Sequence, residues 1–280
     1  MLDNVGFTRR WMLEAGAVSA SLAATPALAK DAYDPRKTSA ALVKLEAYAD
    51  GRPAPWWYTG TIYAVRERTK PKALFRFEGS ETYWADPKPS GEADIHSRTI
   101  TFFRDVDTDA WLDAYENPYT GQKNAPRPNV LNGQSLFPAD GSPPRPKATG
   151  HTAPTEIAPQ GLDAVDPSKP SGSFKWIVLG DMVLRMGDRA FPSKLQPSME
   201  AQSTFGDAKT FFNPNAKSMG AQFSSTTFSP YMGWMDMPEE PGHLVWHASG
   251  YKTRGFSELP AEYRARAEAI LPGVLMGDPG

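Results

Sequence analysis

Three closely spaced runs of alternating polarity constrain this chain more than any other feature. Trp56–Glu67, Ala73–Trp84 and Ile95–Arg104 change character with a period of two, and Thr99, Ile100, Thr101, Phe102 and Phe103 strongly favour strand. The breaks between the runs are short and polar. They leave no room for crossover helices, so neighbouring runs must pair antiparallel as a meander. Asp105 to Asp109 reads as a turn, and Ala110–Tyr115 as a fourth strand. The texture returns in Phe174–Met186, Ser198–Phe205, Ala221–Phe228 and His243–Thr253. A short helix over Thr38–Ala49 precedes the strands, with Gly51 as its stop. A second begins at Pro260, with Leu259, Tyr263, Ala267, Ile270 and Leu271 as its apolar stripe. The pattern predicts a mainly β fold: a single antiparallel barrel-like domain, a lipocalin-like meander, covered by short N- and C-terminal helices.

Two regions depart from this pattern. Residues 124–173 are dominated by Pro, Ser, Gly, Lys and Asp, and read as a long loop or lid within a domain spanning 30–280. Residues 1–29 carry Thr8-Arg9-Arg10-Trp11-Met12-Leu13, an alanine-rich apolar run, and Ala27-Leu28-Ala29. This reads as a twin-arginine signal peptide, with Lys30 as the mature N-terminus. The apolar run is too short and too rich in small residues to span a bilayer, which takes ~20 mostly apolar residues. A general secretory signal or an ordinary amphipathic helix are the alternatives. The twin-arginine reading predicts a soluble periplasmic protein. Its partner during export is the twin-arginine translocase, and no membrane association is expected after cleavage.

The absence of cysteine excludes thiol nucleophiles, zinc–thiolate sites and iron–sulfur clusters. A net charge of −2 argues against nucleic acid as a partner. Aromatic residues make up 11% of the chain, with eight tryptophans, which suits a pocket for an apolar or ring-shaped ligand. No nucleophile elbow, phosphate loop, dinucleotide fingerprint or zinc-protease motif occurs. No cofactor and no metal are expected.

The last run holds the strongest constellation. His243, Val245, His247, Ser249 and Tyr251 share one face of a strand; Leu244, Trp246 and Ala248 share the other. The polar face either lines a site or meets solvent. His243 and His247 lie ~13 Å apart on an extended strand, too far to share one metal ion as an adjacent pair. His96 and Arg98 alternate with Ile100 and Phe102, which suggests the inward side; the alternative is a strand end where Asp94 and solvent satisfy both. Arg76 and Glu78 alternate on the neighbouring run. Lys175, Ile177, Leu179, Asp181, Val183 and Arg185 all fall on one face, either a barrel interior with a paired Asp and Arg or a solvated outer face. Tyr231–Met237, with Trp234 at its centre, reads as a lid or as a hydrophobic plug at a barrel mouth.

Four segments in succession resemble one bacterial family: Gly60-Thr-Ile-Tyr-Ala-Val65, Leu74-Phe-Arg-Phe-Glu-Gly79, Ser97-Arg-Thr-Ile-Thr-Phe-Phe-Arg-Asp105 and Trp111-Leu-Asp-Ala-Tyr-Glu-Asn-Pro-Tyr-Thr-Gly121. The chain resembles the domain-of-unknown-function family 1838, whose members often carry twin-arginine signals. The resemblance is most specific at Glu116–Gly121. It implies a shared barrel fold and transfers no catalytic residue.

These readings converge on an exported protein binding a small apolar or aromatic molecule in a barrel cavity. A cofactor-independent isomerase, lyase or hydrolase would use His247, His96 and Arg98, because an imidazole titrates near working pH and an arginine holds developing negative charge. His243, Tyr251, Asp181, Arg185, Arg76 and Trp234 are the expected substrate contacts. The alternatives are a non-catalytic periplasmic carrier of a hydrophobic ligand and a structural envelope protein.

Overall fold

The alternating runs become one antiparallel sheet of ten strands in the computed structural model, which describes residues 34–146, 171–191, 198–237 and 240–275. The segment expected to be a signal peptide, residues 1–29, and residues 147–170 of the expected loop lie outside the described residues. The long strands are β1 (Ala54–Val65), β2 (Lys72–Pro87) and β3 (Ala93–Asp105). A two-residue pair, β4 (Tyr115–Glu116) with β5 (Lys123–Asn124), forms a small second sheet. Then follow β6 (Asn129–Phe137), β7 (Arg145–Pro146), β8 (Ser171–Leu179), β9 (Met182–Phe191), β10 (Ser198–Asp207), β11 (Ala221–Ser229) and β12 (His243–Lys252). The sheet order is β7-β6-β3-β2-β1-β12-β11-β10-β9-β8. The helices are α1 (Ser39–Glu46), α2 (Ala208–Phe212) and α3 (Ala261–Ile270). Among the described residues no helix is long and apolar enough to cross a membrane.

Four expectations need correction. Ala110–Tyr115 is not a strand; Trp111 makes a single bridge to Arg104. Phe174–Met186 is a hairpin, because Gly180 at φ +59 turns the chain between β8 and β9. The loop expected over 124–173 holds β6, which pairs with β3 from Asn129↔Thr101 to Phe137↔Ala93. Polar composition hid that strand. The fourth correction concerns α1, which lies within the curl of the sheet and not over its outside. Its residues from Ala41 to Glu46 are all buried, on every side of the helix. Leu42, Val43 and Ala47 pack on Ala85, Ile95 and Phe137 of β2, β3 and β6, while Ala41 and Leu45 pack with Trp56, Val183 and Phe211.

The sheet must curl to do this. Glu81 of β2 feels the charges of Arg189 on β9 and Glu200 on β10. Five strand spacings separate β2 from β9, about 24 Å along a flat sheet. Their side chains meet only if the face they share is concave. That inner face carries an alternation of glycine and aromatic residues in register. Phe77 lies opposite Gly60, Tyr58 opposite both Gly79 and Gly250, and Phe223 opposite Gly250. A Cβ at Gly60 would sit 2.0 Å from the His247 carbonyl oxygen and 2.5 Å from the Phe77 ring. The rings therefore lie flat over bare backbone, which lets the sheet bend tightly without losing buried area.

The far end of the curl is filled. Tyr58, Ile62, Phe75, Phe77, Phe103, Leu244 and Trp246 close around Met235, Met237 and Trp234 of the loop after β11. The Trp234 ring lies 5.5 Å from Phe75 and 5.6 Å from Phe103. The segment from 231 to 237 is thus a plug. Asn117 fixes it: fully buried, its Nδ2 donates to the Met235 carbonyl at 3.0 Å and its Oδ1 accepts from the Tyr119 amide. The Asn117–Gly121 turn, with Gly121 at φ +69, therefore ties two loops together. On the outer face α3 covers only one end. Tyr263, fully buried, packs edge-on against Trp57 and Phe102, donates to the Ile100 carbonyl at 2.9 Å and accepts from the Ser80 amide at 3.0 Å.

Candidate functional site

The rest of the outer face, from β8 across to β2, is bare and hollowed. A groove of about 400 Å³ is lined by Thr59, Thr61, Tyr63, Arg76, His247 and Ser249, among others. A second of about 560 Å³ is lined by Lys175, Met186, Asp188, Ser203 and Thr226, among others. The two share Ser224 and Ser225, so they form one trough running across the strands. Its floor is made by small residues: wherever outward positions are Ser, Thr or Ala, the surface sinks between longer neighbours. Hydroxyl groups dominate that floor.

Register sets the core of this site. Thr61 pairs with Arg76 on one side and with His247 on the other, and His247 pairs with Thr226. Arg76, Thr61, His247 and Thr226 therefore form a row across four strands with all side chains on the outer face. The Cα atoms of Arg76 and His247 lie roughly 10 Å apart, two strand spacings of about 4.8 Å. The small Thr61 between them leaves the gap open. His247 is exposed, and its Nδ1 is 3.1 Å from Thr226 Oγ1. That contact holds the ring through Nδ1, at the wall of the groove. Tyr63, one step along the same face, stands edge-on to His247 with ring centroids 5.7 Å apart. Arg76 makes an ion pair with Asp109 at 3.0 Å, both about half exposed. A pair so exposed is worth about 0–1 kcal/mol, so an incoming anion exchanges with Asp109 at little cost.

The other expected site residues scatter. His96 and Arg98 share a face with Ile100 and Phe102, as expected, but that face is the outer one. Ile100 and Phe102 are buried because α3 lies over them, not because they point into the curl. Arg98 is occupied, donating to Asn132 Oδ1 and to the Val274 carbonyl at 3.0 Å each. His96 sits 3.5 Å from the Gln134 side chain. His243 packs against Phe228 at 5.8 Å, on the outer face beyond the groove lining. Tyr251 is 44% exposed on the same face and likewise outside the lining. Asp181 stands in the β8–β9 turn, where its carbonyl accepts from Ala208. The hairpin reverses side-chain parity, so Lys175 faces the groove while Arg185 faces inward and pairs with Glu46 of α1. Trp234 is part of the plug. Of the nine expected residues, His247 and Arg76 meet in one site.

The inner face also gathers ionic groups. Arg185 pairs with Glu46, and Arg189 with Glu200 at 2.5 Å. Burial pushes the Glu81 carboxyl up, while Arg189 opposes that shift. Lys252 donates to the carbonyls of Lys44 at 3.2 Å, Leu45 at 3.3 Å and Ala47 at 2.5 Å, which caps the C-terminus of α1, although burial pulls its pKa down to about 7. Lys44 does the same for α2, donating to the Phe211 and Asn213 carbonyls at 2.8 and 2.7 Å. Most of these inward charges hold helices and strand walls together.

Sequence reasoning missed Tyr63, Thr61 and Thr59. Their signal was present as the outward half of the first alternating run. The sheet order that sets β1 between β2 and β12 was needed to give it meaning.

A family model described as "Protein of unknown function (DUF1838)" matches residues 51–134 and 188–275. The two segments hold β1 to β3 and β10 to β12, and with them Arg76, Thr61, Tyr63 and His247. No curated protein matches the chain. Among solved structures, Ail, the attachment invasion locus protein of Yersinia pestis, aligns at 9% identity and a TM-score of 0.27, over 72% of this chain and 97% of that one. So low a score carries no argument about fold or activity.

Proposed function

This chain belongs to the DUF1838 family, and we propose that it is an exported protein that binds a small, hydroxyl-bearing organic acid in the outer groove and acts on it by acid–base chemistry at His247. One observation carries the reading: the register row Arg76–Thr61–His247, which sets a guanidinium and an imidazole on either side of an open gap. Arginine matches a carboxylate in geometry and charge. The imidazole takes or gives a proton without a cofactor, which suits isomerase, lyase or hydrolase chemistry. The surrounding Ser and Thr hydroxyls suit a ligand rich in hydroxyl groups. This moves the site from the barrel interior to the outer face. It also changes the ligand from apolar to polar, because the inward aromatic rings pack on one another.

The test is a titration of the intact chain with glucuronate, galacturonate and gluconate, followed through the His247 ring resonances. We expect His247 to shift on addition of at least one sugar acid, and Arg76→Ala to abolish the shift. A His247 signal unmoved by all three would sink the reading. Export is tested separately by fusing residues 1–30 to a folded reporter. Arg9→Lys with Arg10→Lys should hold the reporter in the cytoplasm, and undiminished export would remove the twin-arginine assignment.

A further inference from the structure

We propose that the substrate is a linear polysaccharide of uronic acids, cleaved in the outer groove by β-elimination. The inference rests on the acid–base reading of that groove and extends it to the polymer and to the bond broken. Three observations point there. The first is extent. The two hollows join at Ser224 and Ser225 and run from Lys175 on β8 to Arg76 on β2, seven strands wide. At about 4.8 Å per strand the path over the curved outer surface is nearly 30 Å, longer than one sugar acid and suited to several linked rings that follow the curve. The trough is open along its length, so a chain can enter without threading.

The second is chemical character. The floor presents Thr59, Thr61, Ser203, Ser224, Thr226 and Ser249, and cationic side chains stand at the two ends, Lys175 beside Asp188 and Arg76 beside Asp109. A chain with hydroxyl groups on every ring and a carboxylate at intervals is complementary to that pattern.

The third is the catalytic set. β-Elimination on a uronic acid needs a cation on the carboxylate, a base for the α-proton and an acid for the leaving oxygen. Arg76, His247 and Tyr63 are those three groups around the gap over Thr61. Arg76 neutralises the carboxylate and holds the charge that develops on it. His247 takes the proton from C5, the carbon bearing that carboxylate. The electron pair left behind forms the C4=C5 double bond as the C4–O glycosidic bond breaks. The departing oxygen takes the Tyr63 hydroxyl proton. The His247 imidazolium then gives its proton to solvent and the Tyr63 phenolate takes one back, since both groups line the open groove. Water is neither consumed nor released, and no oxidant or reductant is required.

The experiment incubates the intact chain with polygalacturonate, alginate and a polymer of glucuronate, and reads the ultraviolet absorbance of the conjugated double bond. We expect absorbance to grow with at least one polymer. We expect His247→Ala and Tyr63→Phe each to lower the rate about 100-fold or more, with thermal melting unchanged. Arg76→Ala should raise KM as well as lower kcat. New reducing ends without absorbance would mean hydrolysis and would overturn the elimination step. Binding of the polymers without cleavage would overturn the lyase assignment and leave the groove as a binding site. Monomeric sugar acids shifting His247 while no polymer binds would overturn the polymer. A His247 blind to monomer and polymer alike would remove the underlying reading with it.

Discussion

The two faces of this sheet are built from the same strands and obey different rules. On β12, Leu244, Trp246 and Gly250 point into the curl and Val245, His247 and Ser249 point out of it. Inward positions are decided by fit: a glycine stands where a ring must lie, a ring stands where a glycine leaves space, and charges are paired or bonded to backbone carbonyls. Outward positions along the groove are mostly small or polar, and α3, which lies over Trp57 and Ser80, leaves them uncovered. The comparison teaches that alternation locates both faces and does not say which is the interior. Alternation alone leaves His247 free to line the barrel or to face out; the direction of the curl sets it outside.

The sharpest way to break the comparison is to place a side chain in the inner wall. Gly60→Val puts a Cβ against the His247 carbonyl and the Phe77 ring, and should cost more than about 3 kcal/mol or abolish soluble expression. A melting curve like that of the parent would show that the inner face is not close-packed. Next comes the link between α1 and the wall. Arg185→Met leaves Glu46 buried without its partner and should cost about 3–5 kcal/mol. Combining it with Glu46→Gln should recover part of that loss in denaturant unfolding.

Tyr263→Phe removes a hydroxyl that bonds Ser80 and Ile100, and should cost about 1–3 kcal/mol. A loss below about 0.5 kcal/mol would show that α3 is held by its apolar stripe alone. Lys252 gives a pH signature. Its pKa is about 7 in the folded chain and ordinary, 10.5, when unfolded, so between those values the unfolded chain binds more protons. Stability should therefore rise with pH from about 7 towards 10, and Lys252→Met should flatten that slope. A parent protein whose stability falls over this window would mean that the α1 carbonyls hold the ammonium charged. The smallest structural effects belong to the outer face: Ser224→Ala and His247→Ala should each move stability by no more than about 0.5 kcal/mol. If His247→Ala melts far below the parent, the groove is part of the scaffold after all.

Much of the fold was readable in the sequence. The runs at Trp56, Ala73, Ile95, Ser198, Ala221 and His243 alternate because one face of each is buried, and each became a strand. β6 was unreadable because its apolar residues stand in two adjacent pairs, Val130-Leu131 and Leu136-Phe137, without alternation, and its identity comes from its ladder with β3. The β8–β9 hairpin was missed because Gly180 and Asp181 interrupt an otherwise continuous apolar texture by two residues only. That slip placed Asp181 and Arg185 together when the turn separates them. The candidate site was half visible: residue types at His247 and Arg76 were recognised, but their meeting depends on β1 standing between β2 and β12. Nothing in local pattern reports sheet order.

That central position of β1 has a consequence for how the chain acquires its shape. Trp56 pairs with Lys252 and Val65 with His243, so the middle ladder of the sheet joins the first long strand to the last. Contacts so remote in sequence carry a large loop-closure entropy and form late. A ribosome that has released only the first two hundred residues has delivered β1 to β3 with one edge still unpaired. Compaction must wait for β12 to emerge, and Gly60, Gly250 and their rings then come together in a single late step. The register row across Arg76, Thr61 and His247 is completed in that same step, so the half of the groove that holds His247 does not exist until the final strand arrives.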